Sequence, residues 1–173
     1  MESLSNTGSL ISETLANNAE YALPLIFALA CLEALVGIGL FVSGAFLLGV
    51  VSYCLAQDLA APTMIFFTAL GGAFLGDQAG FYCGRVWGPR FHLSQFALKH
   101  QTRIARTETM IGRWGGVAVA IGRFVPAIRS IVPAMLGISG FAPLRFFFID
   151  LASCTAWAFA LIALGSGVGS ILG

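Results

Sequence analysis

Between Arg123 and Arg145 the chain places three arginines (Arg123, Arg129, Arg145) and three prolines (Pro126, Pro133, Pro143) in an otherwise uncharged run rich in Phe, Ile, Leu and Gly. The run is apolar enough to enter a bilayer. Pro126 and Pro133 nevertheless bar a continuous helix, because proline lacks an amide proton and its ring clashes with the carbonyl four residues earlier. Backbone groups freed at such a break must face protein or water, since lipid cannot satisfy them. Arginine at the same depth is costly to bury and marks a pathway or an anionic ligand. A broken apolar helix carrying Arg123 and Arg129 therefore reads as an anion site inside a membrane.

The rest of the chain fits that setting. It is 58% hydrophobic and 10% charged, with a mean hydropathy of +0.89, whereas a soluble domain carries about 25% charged residues. Its 173 residues form one membrane domain, 1–173. The net charge of +1 gives no footing for a nucleic-acid partner. Charge is unevenly placed: 1–20 holds Glu2, Glu13 and Glu20 without Lys or Arg, while 85–113 holds Arg85, Arg90, Lys99, Arg103, Arg106 and Arg113 against Glu108. The positive-inside rule puts that central segment in the cytoplasm. Residues 1–20 read as a polar surface lead-in and, without a basic flank, not as a signal peptide.

Residues 21–57 form an apolar stretch whose charge is Glu33 alone. It exceeds the roughly 20 residues of one span and falls short of two spans with a turn. Its glycines, Gly37, Gly39, Gly44 and Gly49, interrupt it. A re-entrant hairpin fits, with arms near 22–35 and 45–57 and a tip at 36–44 that includes Gly39, Ser43 and Gly44. Residues 62–84 read as a spanning helix opened by Pro62, since proline is tolerated in a first turn. In 90–112, Leu93, Phe96, Ala97, Ile104 and Ile111 recur at helical spacing opposite a basic face, which predicts an amphipathic helix on the membrane surface or in the solvated loop. Residues 114–140 read as a second hairpin with its tip at Pro126 to Pro133, and 143–170 as a second spanning helix. The resulting fold class is an all-α membrane protein. It has two opposed re-entrant hairpins, two spanning helices and a surface helix between the halves, a pseudo-inverted repeat of the kind transporters use to build a midplane site.

Arg123 and Arg129 lie on different faces of a straight helix, and a break at Pro126 lets them converge. Arginine offers a planar fork of donors suited to phosphate or carboxylate. Glu33 is an intramembrane carboxylate and so a functional candidate, either pairing with an arginine or taking up a proton. Asp77, Arg85 and Asp150 are the candidates for a supporting polar network. The alternative is that the arginines only neutralise Glu33, Asp77 and Asp150. The glycines from Gly76 to Gly88 suit a close helix crossing. The four cysteines, Cys31, Cys54, Cys83 and Cys154, lie singly in apolar segments and read as small buried hydrophobes. His92 and His100 fall in the basic segment, and no nucleophile with an activating partner is evident. The expectation is therefore no enzyme, no cofactor and no metal.

Several strings carry a resemblance. Leu32-Glu33 precedes Gly39-Leu40-Phe41-Val42-Ser43-Gly44. Gly76-Asp77 precedes Gly80-Phe81-Tyr82, Gly84-Arg85 and Gly88. Gly122-Arg123-Phe124-Val125-Pro126 precedes Arg129, Pro133, Gly137, Gly140 and Phe147. Together they resemble the DedA family, the bacterial branch of the VTT-domain or SNARE-associated Golgi protein group, over about residues 25–165. The resemblance implies opposed re-entrant hairpins, movement of a phosphate-bearing lipid such as polyprenyl (undecaprenyl) phosphate or a phospholipid, and Glu33, Arg123 and Arg129 as the essential charges. Where the family has Pro-Gly followed by an acid or Thr, this chain reads Ser43-Gly44-Ala45, so a second acid is absent.

The functional expectation is a lipid flippase or scramblase in a bacterial inner membrane, with the bilayer and a phosphate-headed lipid as partners and a homo-oligomer admissible. The alternatives are a proton-coupled transporter of a small solute or ion, and a non-transporting membrane assembly factor.

Overall fold

The computed structural model describes residues 19–35, 44–92, 114, 116–117 and 129–172. After a 3-10 turn at Ala19–Tyr21 come α1 (Ala22–Ala34), α2 (Gly44–Ala56), α3 (Pro62–His92), α4 (Ile131–Ile138) and α5 (Pro143–Leu172). The protein is all-α, and no strand occurs among the described residues.

Proline lies in the first turn of four of these five helices. Pro62 and Pro143 are the first residues of α3 and α5, and Pro24 and Pro133 fall in the first turns of α1 and α4. At those positions the missing amide would have had no partner within the helix. The stops are equally local. At the end of α2 the amide of Leu59 donates to Cys54 O at 3.0 Å and that of Asp58 to Leu55 O at 3.4 Å. Asp58 takes the left-handed conformation, φ +50°. The end of α4 repeats the plan: Phe141 N–H donates to Leu136 O at 3.1 Å and Gly140 N–H to Gly137 O at 3.2 Å, with Gly140 at φ +73°. Both are Schellman terminations, which satisfy the orphan carbonyls of a last turn.

Helices α1 and α2 have 13 residues each. At about 1.5 Å per residue each is roughly 20 Å long, short of the ~30 Å hydrocarbon core of a bilayer. Among the described residues, Pro143–Gly167 is the stretch long and apolar enough to cross a membrane. Helix α3 is longer, at 31 residues, but Asp77, Gln78 and Arg85 interrupt its apolar character. It also continues past Gly84, the expected boundary, through Arg90, where the sequence reading starts a separate surface helix. Gly88 and Pro89 fall within its final turns. The remainder of the expected surface helix, 93–112, and residues 118–128 of the expected second hairpin lie outside the described residues.

Helix α3 is the centre of the packing. It contacts α1, α4 and α5, while α2 packs on α5. Small residues let the backbones meet. A Cβ on Gly76 would lie 2.6 Å from both Cys31 O and the Ala34 methyl of α1. One on Gly84 would strike Ala134 O of α4, and one on Gly137 would strike Phe81 O of α3. Two apolar clusters follow. The larger joins Ile26, Leu47, Val51, Cys54, Ile65 and Leu161; the smaller is Phe81, Leu136 and Phe146, with the Phe81 and Phe146 rings stacked at 4.2 Å. Large apolar side chains such as Phe67, Leu144, Phe148, Phe159 and Leu164 point outward, as a lipid-facing surface requires. Cys54 and Cys154 are buried as expected, whereas Cys31 is half-buried and Cys83 is exposed on the outer face of α3.

Two glycines separate packing from flexibility. Gly84→Ala places a methyl on the α4 backbone and is expected to destabilise by about 1–3 kcal/mol. Gly49→Ala, whose Cβ meets nothing within 4 Å, lies inside α2 and should stabilise by roughly 0.5–1 kcal/mol. Thermal unfolding in detergent should therefore move in opposite directions for the two variants.

Candidate functional site

Four elements meet where α1 ends and α4 begins. Glu33 stands in the last turn of α1, and Arg129 lies just ahead of α4. Arg129 Nη1 donates to Glu33 Oε1 at 2.6 Å across 96 residues of sequence. The two residues are only 7% and 4% exposed. The start of α2 closes the carboxylate side: a Cβ on Gly44 would sit 2.6 Å from Glu33 Oε1. A side chain there would push the carboxylate from its present position. The carboxylate thus rests against the first turn of a helix, where the helix dipole favours an anion. Helix α5 closes the other side, with Arg129 Cζ over the Trp157 ring, 4.9 Å from its centroid.

Next to Arg129, Ser130 is fully buried, and its hydroxyl has no hydrogen-bond partner among the described residues. It occupies the N-cap position of α4 in helical conformation, φ −76° and ψ −20°, and makes no side-chain capping bond. Pro133 is buried in the same turn. Since proline has no amide, the first turn of α4 presents fewer donors than an ordinary helix start. Arg123, Pro126, Gly39 and Ser43 lie outside the described residues.

A second polar cluster lies between α3 and α5. Asp77, Asp150 and Cys154 are all buried, and one potential ligand atom from each lies within 4.8 Å of the others. Gln78 Nε2 donates to Asp150 Oδ2 at 3.0 Å. The Cys154 thiol faces both carboxylates, 3.6 Å from Asp150 Oδ1 and 3.9 Å from Asp77 Oδ2. Arg85 is placed apart from this cluster. Its Nη1 donates to Phe141 O at 3.1 Å, on the exposed side, and so secures the turn after α4. Long side chains reach whichever carbonyl the crossing brings near, and the α3–α4 crossing brings this one.

Sequence reasoning passes over Gln78, Ser130, Cys154 and Trp157. A signal for two of them exists: Asp150, Cys154, Trp157 and Leu161 recur at spacings of four, three and four on α5, one helical face that carries a carboxylate, a thiol and an indole. Ser130 and Gln78 carry no such pattern.

The ion pair is expected to couple energetically. A double-mutant cycle with Glu33→Gln and Arg129→Gln, read by thermal unfolding in detergent, should return a coupling of about 1.5 kcal/mol or more.

The VTT domain family matches residues 21–167. The inner membrane protein YohD of Escherichia coli is 32% identical over 114 residues, covering 66% of this chain and 58% of YohD. YabI of the same organism is 22% identical over 149 residues, 86% of this chain and 59% of YabI. YghB of Salmonella typhimurium is 30% identical over 135 residues, 76% of this chain and 60% of YghB. The chain thus spans about three-fifths of the length of these relatives. No solved structure matches. The chain belongs to the VTT-domain (DedA) family.

Proposed function

With that membership as premise, we propose that this membrane protein moves a lipid with a phosphate headgroup between the leaflets of a bacterial inner membrane, without altering it covalently. The observation that carries the reading is the buried Arg129–Glu33 pair at 2.6 Å, held where two 13-residue helices, too short to span, meet the start of α4. In the empty site Glu33 occupies the arginine. A lipid phosphate offers a pair of acceptor oxygens to the same fork, with extra charge when it is a monoester, and it displaces the carboxylate from the guanidinium. Arg123, which the family resemblance implies as an essential charge, is proposed as a second phosphate ligand. The acyl or prenyl chain stays in lipid, so only the headgroup needs a polar path.

Two opposed re-entrant hairpins and a pseudo-inverted repeat are part of this reading. A repeated local plan supports them. Helix α2 ends in a Schellman turn at Asp58 and is followed by Pro62 opening α3; α4 ends in the same turn at Gly140 and is followed by Pro143 opening α5. The packing is also exchanged between the units, α2 lying on α5 and α4 on α3. The relatives YohD, YabI and YghB are named as inner membrane proteins, which supports that location. The basic segment 85–113 would then face the cytoplasm.

A second reading, proton-coupled transport of a small solute, is favoured by one observation, the Asp77–Asp150 carboxylates buried together between α3 and α5. It predicts uptake that follows a pH gradient and no lipid exchange.

Leaflet exchange in proteoliposomes, with a fluorescent phospholipid and a polyprenyl phosphate as substrates, tests the leading reading. The wild-type protein should accelerate exchange of at least one of them, and Arg129→Ala and Arg123→Ala should return it to the rate of empty liposomes. Normal exchange in both variants, or none in the wild type, would overturn it.

A further inference from the structure

A guanidinium that passes from a carboxylate to a phosphate needs a support that does not compete for its donors. Carboxylates and carbonyls hold arginine by taking up N–H groups. An aromatic face attracts the cation through its quadrupole and needs no acceptor atom. Trp157 is placed to do this: Arg129 Cζ lies over its ring at 4.9 Å while Nη1 stays on Glu33. The distance is well inside the roughly 6 Å reach of such contacts, and burial strengthens them. The indole is itself braced, since Trp157 packs against the apolar cluster of Ile26, Leu47, Val51 and Leu161. It is therefore a fixed surface, whereas Glu33 and an incoming lipid are exchangeable partners.

We propose that Trp157 is the positioning residue of this site, its ring holding the Arg129 guanidinium in place while the arginine's donors exchange between Glu33 and a lipid phosphate. This rests on the lipid-phosphate reading above. It assigns α5 a part in the site that neither its length nor its apolarity discloses. A lysine at position 129 would keep the charge but lose the planar fork of donors that engages carboxylate and phosphate.

The chain has three tryptophans, Trp87, Trp114 and Trp157, and the first two are 68% and 64% exposed. Replacing both with phenylalanine leaves Trp157 as the sole reporter. In detergent, titration of that variant with farnesyl phosphate should change the indole emission saturably, and Arg129→Gln in the same background should abolish the change. In proteoliposomes, Trp157→Leu should slow lipid exchange by roughly 2- to 30-fold, the range a lost cation–π contact implies. Trp157→Phe, which keeps a ring, should recover part of that loss at unchanged melting temperature.

Lipid exchange by the sole-tryptophan variant with an emission that ignores farnesyl phosphate would overturn the proposal and leave the lipid reading intact. Equal losses for Leu and Phe, tracking a lowered melting temperature, would mark a packing role and overturn it as well. A wild-type protein that neither exchanges lipid nor changes emission sinks the lipid reading and this proposal together.

Discussion

The contacts that glycine allows along α3 set the heights at which α1 and α4 cross it. Gly76 admits the backbone of α1 at Cys31, and Gly84 admits the backbone of α4 at Ala134. Two helices that share no sequence neighbourhood are thereby pressed onto one rod at fixed heights. Glu33 is two residues from Cys31, and Arg129 is one short turn ahead of α4. The separation of the charged groups is inherited from helix crossings in which backbone meets backbone. Such crossings are rigid, because only backbone and an alanine methyl lie between the helices, and interiors at this density do not deform smoothly.

The ion pair that results stands near a balance. At an effective dielectric of about 20, unit charges about 4 Å apart attract by about 4 kcal/mol. Removing each ion from water costs several kcal/mol even after relaxation. Attraction alone leaves little surplus, so the surrounding dipoles decide the outcome. The α2 N-terminus against Glu33 and the Trp157 ring against Arg129 both stabilise charge without quenching it.

The second cluster differs in kind. Asp77, Asp150, Cys154 and Gln78 sit between two long helices, and Gln78 and the Cys154 thiol both bond to carboxylates of the cluster. Its carboxylates accept from an amide and a thiol, so it reads as an internal polar network. The outer surface carries phenylalanines and leucines in the same stretches of α3 and α5. Each long helix therefore presents lipid on one side and a polar interior on the other, an arrangement in which rotation of either helix would expose charge to lipid.

The amino-acid sequence by itself determined the class and the punctuation of this protein. Composition makes it a membrane protein. Pro62 and Pro143 open its long helices, and Glu33, Asp77, Arg129 and Asp150 stand out because charge in an apolar segment is rare. These are local signals: each depends on a residue's own chemistry or on neighbours within a turn. Only the tertiary structure decided which charges meet. It joined Arg129 to Glu33 across 96 residues, made Gly44 a matter of room for a carboxylate, brought Trp157 over the guanidinium, gathered Cys154 and Gln78 around Asp77 and Asp150, and sent Arg85 to a turn carbonyl instead. The reason is that partner choice follows from the height and angle at which helices cross. Those are set by small residues on distant segments acting together, and no single window of sequence contains them.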